Sequence, residues 1–208
     1  MQHVIKNIIF DWGGVLIDIT MEHFIHFCQQ IKIKFSETEV NSTHKAGFFL
    51  EYEKGYLSDN EFRKEFRSRT EMKLSDERID YIWNSMLGKI PTEKLQLLKT
   101  LQNKYNLFLL SNTNPIHWNT FITKSNSEGL KFEELFKKIY LSYELHAMKP
   151  DTLIFDKTIM DADINVKETL FIDDSLVNCQ TAQKLGMHIL NYKPGNDLAS
   201  CIFENRIL

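Results

Sequence analysis

The chain has 208 residues, 43% of them apolar or aromatic, and a formal net charge of −3. That length suffices for one core of ordinary size, with room for a smaller lobe inserted into it. There is no basic surplus for a phosphate backbone and no apolar run of membrane length, so neither nucleic acid nor a bilayer is an expected partner.

The opening MQHVIKNIIFDWGG lacks the charged leader, long apolar stretch and small-residue cleavage site of a secretory signal. Cys28, Cys179 and Cys201 are odd in number, far apart and outside any C-x-x-C pair, so free thiols in a reducing cytoplasm are the simplest reading. Nothing demands more than a monomer.

Val4 to Phe10 is a continuous apolar run, as expected of a strand covered on both faces. From about Met21 to Leu87 the pattern is helical. Ser58 to Glu61 opens one helix with capping-box spacing, and Ser75 to Arg78 opens another. Phe48, Phe49, Tyr52 and Tyr56 fall at helical spacing and are expected to pack inside this helical layer until Glu53-Lys54-Gly55 breaks the helix. His23 and His26, three apart, belong on the surface of another of its helices. After Pro91 the rhythm changes. A helix from Thr92 to Asn103 leads to a strand from Leu107 to Leu110, a loop-rich stretch, and a strand from Lys138 to Leu141. A helix near Pro150, a strand from Thr169 to Ile172, a helix from Ser175 to Leu185 and a strand from Met187 to Leu190 follow. Alternating strands and helices imply βαβ units and a parallel sheet. The expected fold is α/β: a Rossmann-like parallel core in two pieces, residues 1–16 and 90–208, with an all-helical cap, residues 17–89, inserted after the first strand.

In an open parallel sheet, ligands bind beyond the carboxyl ends of the strands. The first predicted strand ends in Asp11-Trp12-Gly13-Gly14 and the second in Ser111-Asn112-Thr113-Asn114. The third is followed by Ser142 to Pro150, which includes Lys149, and the fourth ends in Asp173-Asp174-Ser175. Acids, hydroxyls and a lysine gather on one edge.

In that order, FDWGGVL, LLSNTN, MKPD and FIDDSLVN resemble the four motifs of the haloacid dehalogenase superfamily, and the helical insertion sits where that superfamily places a cap. Within it, DWGGVLIDI and FIDDSLVNCQTAQKLGM look most like the branch containing bacterial α-D-glucose-1-phosphate phosphatase, which also carries glycine two places after its nucleophile. The resemblance makes Asp11 the nucleophile, forming an aspartyl phosphate, while the Gly13 carbonyl and Asp174 bind a metal directly. Asp173 holds a water or supports that shell. Ser111, by its hydroxyl, and Asn112, by its backbone N–H, hold phosphoryl oxygens, and Lys149 neutralises nucleophile and phosphate.

Chemistry of the residues supports part of this. Two acids at one strand end without a counter-charge are costly, and oxygen ligands with no nearby His or Cys suit Mg²⁺. Either acid also suits the N-cap of the following helix. Gly14 suits a turn with unusual backbone angles. His117 and His146 lie nearer the site and are expected to fill loops, while Tyr52 and Lys54 are candidate specificity contacts.

The function implied is a Mg²⁺-dependent phosphatase of a small phosphorylated metabolite, a sugar phosphate and especially a sugar 1-phosphate. Gly13 offers no general acid, so a more acidic leaving oxygen is favoured, and Asp18, a metal-bound hydroxide or the substrate would activate water. A 2-haloacid dehalogenase using Asp11, and a non-catalytic binding protein, are the alternatives. Asp174 favours the phosphatase, because dehalogenation needs no metal.

Overall fold

The computed structural model describes residues 4–33 and 47–204. Five parallel strands, β1 (Asn7–Phe10), β2 (Asn106–Ser111), β3 (Lys138–Leu141), β4 (Thr169–Asp173) and β5 (His188–Asn191), lie in the order β3-β2-β1-β4-β5. All four residues of β1 are buried. The two faces divide by the strand period of two. Ile8, Phe10, Leu107, Leu109, Leu170 and Ile172 meet α5 (Thr92–Leu101), α6 (Pro115–Ser127) and α10 (Leu198–Glu204). Ile9, Phe108, Leu110 and Phe171 meet α8 (Thr152–Ala162) and α9 (Leu176–Lys184).

A row of polar side chains crosses the sheet at its other end. Asn106 Nδ2 donates to Asn7 Oδ1 (2.8 Å), and Asn7 Nδ2 donates to Thr169 Oγ1 (3.3 Å). These are in-register neighbours on the three central strands.

Between β1 and β2 lie α1 (Met21–Gln30), α2 (Phe48–Glu53), α3 (Asp59–Arg67) and α4 (Asp76–Asn84). Residues 34–46 of the predicted helical stretch fall outside the described residues. Phe24, Phe49, Tyr52, Phe62, Phe66, Ile79 and Trp83 form a hydrophobic cluster of their own. Ser58 forms the predicted capping box with Glu61, and Ser75 caps α4 through Arg78 N. The insertion joins the sheet by two adjacent segments. Ile19 and Leu87 make an antiparallel bridge, Thr20 N donates to Met86 O and Gly88 N to Asp18 O, both at 2.8 Å.

Two expectations need correction. The stretch predicted to be loop before β3 contains the 13-residue α6, opened by Asn114, which accepts from His117 N, with Pro115 in its first turn. Tyr56 is not in the core of the insertion. It lies past the end of α2, 56% exposed, with its ring stacked on His146.

Candidate active site

Asp11 follows β1 directly, anchored by its N–H to Ile172 O (2.8 Å). Its Oδ1 accepts from Trp12 N (2.7 Å) and lies 2.9 Å from Lys149 Nζ. Lys149 is buried and its three N–H bonds are all placed: on Asp11 Oδ1, on Asp173 Oδ2 (2.7 Å) and on Leu110 O (2.8 Å). A lysine that reads as surface in one dimension is thus the internal counter-ion of two carboxylates.

Asp173 is fully buried and its carboxylate is saturated by the protein. Oδ1 accepts from Ser175 N (2.8 Å) and Asn178 Nδ2 (3.0 Å), and Oδ2 from Lys149 Nζ and Asn178 Nδ2 (3.1 Å). The Asp174 carboxylate lies against Gly14, where a Cβ would fall 2.3 Å from Oδ2; with φ of +77° besides, only glycine fits there. Oxygens of Asp11, Asp173 and Asp174 all lie within 4.8 Å of one another.

Three carboxylates facing one ammonium would leave a net charge of −2 when all are ionised. Burial pushes the Asp11 carboxyl up to about 7; the attraction of Lys149 opposes this and the charge of Asp173 adds to it. Asp174 is also raised, by burial and then by Asp173. For Lys149 burial works against the ammonium, but Asp11 and Asp173 outweigh it and the pKa rises.

Ser111 is buried at the end of β2. The Asn112 side chain clasps the Lys149 backbone, donating Nδ2–H to Lys149 O (2.8 Å) and accepting from Lys149 N (2.9 Å). Pro150 stands just before α8, whose N-cap is Asp151. Gly13 has no positive φ, and a Cβ there would lie 3.2 Å from Ile19 Cγ1. Asp18 is largely exposed, 4.0 Å from Lys94 Nζ.

The remaining candidates hold the insertion to the core. Tyr52 is buried, with its hydroxyl engaged on both sides: it donates to Asp59 Oδ1 (2.7 Å) and accepts from Ile116 N (3.2 Å). His117 is not loop filler. It lies buried on α6, stacked on Trp83 and donating Nδ1–H to Asn84 Oδ1 (2.9 Å). His146 caps α7 (Ser142–Leu145) in a left-handed conformation and donates Nδ1–H to Lys54 O (2.9 Å). Sequence reasoning misses Asn178, Asn191 and Ser142. Asn178 holds both oxygens of Asp173, and Asn191 Nδ2 donates to Asp173 O (3.2 Å) and Asp174 O (2.9 Å). Asn178 follows Asp173 by five residues, a spacing that sets it in the first turn of the next helix; that signal was available.

A parallel sheet whose central strands bring Asp11 and the paired aspartates to one edge, where the turn before α8 adds Lys149, has the site of a hydrolytic enzyme built on an α/β core. Residues 5–186 match the haloacid dehalogenase-like hydrolase family, and the chain belongs to it. It is 34% identical over 196 residues to D-ribitol-5-phosphate phosphatase of Bacteroides thetaiotaomicron, covering 93% of this chain and 95% of that one. A HAD family enzyme of the same organism, crystallised as an Asp-to-Ala variant with magnesium and inorganic phosphate, superposes with a TM-score of 0.89 at 42% identity, over 95% of this chain and 98% of that one. A HAD-like family hydrolase from Porphyromonas gingivalis superposes with a TM-score of 0.86 at 32% identity, over 98% of both chains.

Proposed function

We propose that the chain is a Mg²⁺-dependent phosphomonoesterase acting on a small phosphorylated sugar or polyol. The observation that carries this reading is the cluster of Asp11, Asp173 and Asp174 around a single buried Lys149. Its donors are all oxygen, and its surplus negative charge suits a hard divalent cation. Asp11, Asp174 and the Gly13 carbonyl would hold the ion, while Asp173, engaged with Lys149, Ser175 and Asn178, supports them. Bound there, Mg²⁺ supplies positive charge that offsets the phosphate's as the carboxylate attacks.

Both contacts of the Asp11 carboxylate, with Trp12 N and Lys149 Nζ, fall on Oδ1 and hold the group in place, and the carboxylate is the attacking group in this scheme. It forms a bond to phosphorus as the ester P–O bond breaks, and the departing oxygen takes a proton from water. Water then attacks phosphorus, releasing orthophosphate and returning the carboxylate. Lys149 orients Asp11 and favours its ionised form against the effect of burial. The Ser111 hydroxyl and the Asn112 backbone N–H hold phosphoryl oxygens, the Asn112 side chain being occupied with Lys149. Residues 17–89 act as the cap over residues 1–16 and 90–208, hinged at the Ile19–Leu87 bridge. We take the working form to be a monomer in a reducing cytoplasm, in keeping with three free cysteines.

Two observations bear on the substrate. Gly13 offers no acid to the leaving oxygen, which favours a sugar 1-phosphate. The name of the 34% identical relative specifies a phosphate ester of a primary alcohol, which favours a 5-phosphate. Phosphate release from paired 1-phosphates and terminal phosphates, with Mg²⁺ and with excess chelator, separates these. Undiminished turnover in chelator, or chloride release from a 2-haloacid, would replace the phosphatase by a dehalogenase.

A further inference from the structure

The turn after β2, assigned above to the phosphoryl group, is held in place from the helical insertion. Thr113 N donates to Ser142 Oγ (2.9 Å). That hydroxyl has one proton, and its shorter contact is Glu53 O at the end of α2 (2.6 Å), not Thr113 O (3.0 Å). Asn114 Oδ1 accepts from Trp83 Nε1 on α4 (3.2 Å) while it caps α6. Ile116 N donates to the Tyr52 hydroxyl, and the Ile116 side chain belongs to the insertion's hydrophobic cluster. One helical turn on, Asn84 holds His117 (2.9 Å) and Thr120 (3.1 Å). Ser142, Asn114, Tyr52 and Trp83 are all buried.

A buried N–H left without its acceptor is costly, so the chain shifts to recover one. The Ile116 N–H points to the Tyr52 hydroxyl on the insertion, and the Thr113 N–H to the Ser142 hydroxyl, a core group at the end of β3 that itself donates to Glu53 O on the insertion. Ser111 and Asn112 lie immediately before Thr113 in the chain. We infer that Tyr52, Trp83 and Ser142 are positioning residues for the phosphate: the insertion sets the affinity of the core for a bare phosphoryl group, although these side chains do not touch it. The inference rests on the phosphatase reading, because it takes residues 111 and 112 to be the phosphate's partners.

Couplings between sites in proteins typically amount to about 5- to 150-fold in affinity. The test is the inhibition constant of orthophosphate, an ion with no sugar end for the insertion to grip, in the full chain with Mg²⁺. Tyr52→Phe removes one hydroxyl from a buried ring of unchanged shape, and Trp83→Phe removes the hydrogen bond to Asn114 together with part of the ring stacked on Phe49 and His117. Each is expected to raise the orthophosphate constant about 5- to 20-fold and to raise KM by the same factor for an aryl phosphate and a sugar phosphate. Ile79→Val thins the same hydrophobic cluster but makes none of these hydrogen bonds, and is expected to leave the constant within twofold of the parent.

Hydrogen exchange supplies the readout that is independent of turnover. Ile116 N–H should lose protection in Tyr52→Phe, and Thr113 N–H in Ser142→Ala. If Tyr52→Phe and Trp83→Phe raise KM for the sugar phosphate alone and leave orthophosphate inhibition unchanged, the insertion shapes only the substrate's far end and the inference is overturned. If exchange changes as expected while the parent neither hydrolyses phosphate esters nor binds orthophosphate, the phosphatase reading falls and takes the inference with it.

Discussion

The absence of a carboxylate at position 13 invites its restoration. Gly13→Asp asks the backbone for nothing unusual, since that residue has no positive φ. The obstacle is Ile19, whose Cγ1 and Cδ1 would lie 3.2 and 3.4 Å from the new Cβ. Ile19 is 39% exposed, so it can turn aside at the cost of an off-rotamer side chain, about 0.5–1.5 kcal/mol. The introduced carboxyl would join three others, and their charge would hold it protonated closer to neutral pH, as a general acid requires. General acid help is worth about 10²–10⁴ in rate, or about 2.7–5.4 kcal/mol of barrier, more than the steric cost. Paired with Ile19→Ala, the steric term disappears. The assay is kcat/KM for a primary alkyl phosphate divided by that for an aryl phosphate, whose leaving oxygen needs no proton. The double variant should raise this ratio at least tenfold over the parent, and Gly13→Asp alone should raise it less. A folded double variant with the parent's ratio would refute the account: the leaving oxygen would then not be waiting for a proton.

Other perturbations test the charges. Asp11→Asn should lower kcat by several orders of magnitude, measured as phosphate release, while the fold persists. In chelator it should also change the pH dependence of stability. The folded-state pKa of Asp11 is raised to about 7, so the stability this group contributes is greatest below the unfolded value and is lost as pH rises towards 7. The melting temperature of Asp11→Asn minus that of the parent should therefore rise between pH 5 and 7; a difference that falls instead would mean the wrong sign. Lys149→Met strands two buried carboxylates and should cost about 3–5 kcal/mol, read by denaturant melts in chelator. Gly14→Ala forces a Cβ into the Asp174 carboxylate at positive φ, and isothermal titration should find Mg²⁺ bound at least tenfold more weakly.

The three central strands announced themselves because they are apolar on both faces and end in polar residues, so the sheet and the edge that carries Asp11 and Asp174 were legible. Helix α6 was not: Thr, Asn and Ser dilute its pattern, although Asn114-Pro115 marks its start. Tyr56 keeps helical spacing but follows Gly55, whose φ of +72° ends the helix, so periodicity overran the break. Asn191 and Ser142 reach the site through β5 and the end of β3, a proximity created by tertiary packing alone.

The position of β1 has a consequence for how the molecule assembles. It is the central strand, yet its neighbours arrive late: the polar row joins Asn7 to Asn106 across a separation of 99 residues and to Thr169 across 162. At about 5–20 residues per second, roughly 5–20 s pass during synthesis between Asn7 and Asn106. The insertion, whose contacts are local, has that interval in which to condense first. When β2 and β4 do arrive, hydrophobicity gives poor guidance on alignment, because a strand buried on both faces looks the same after a slip of one residue. Asn7 does not: misaligned by one, its buried amide would face Leu107 and Leu170, or Tyr105 and Glu168, in place of Asn106 and Thr169. A few amide and hydroxyl contacts at the blunt end of the sheet thus act as its alignment marks, and through them bring Asp11 level with Asp173.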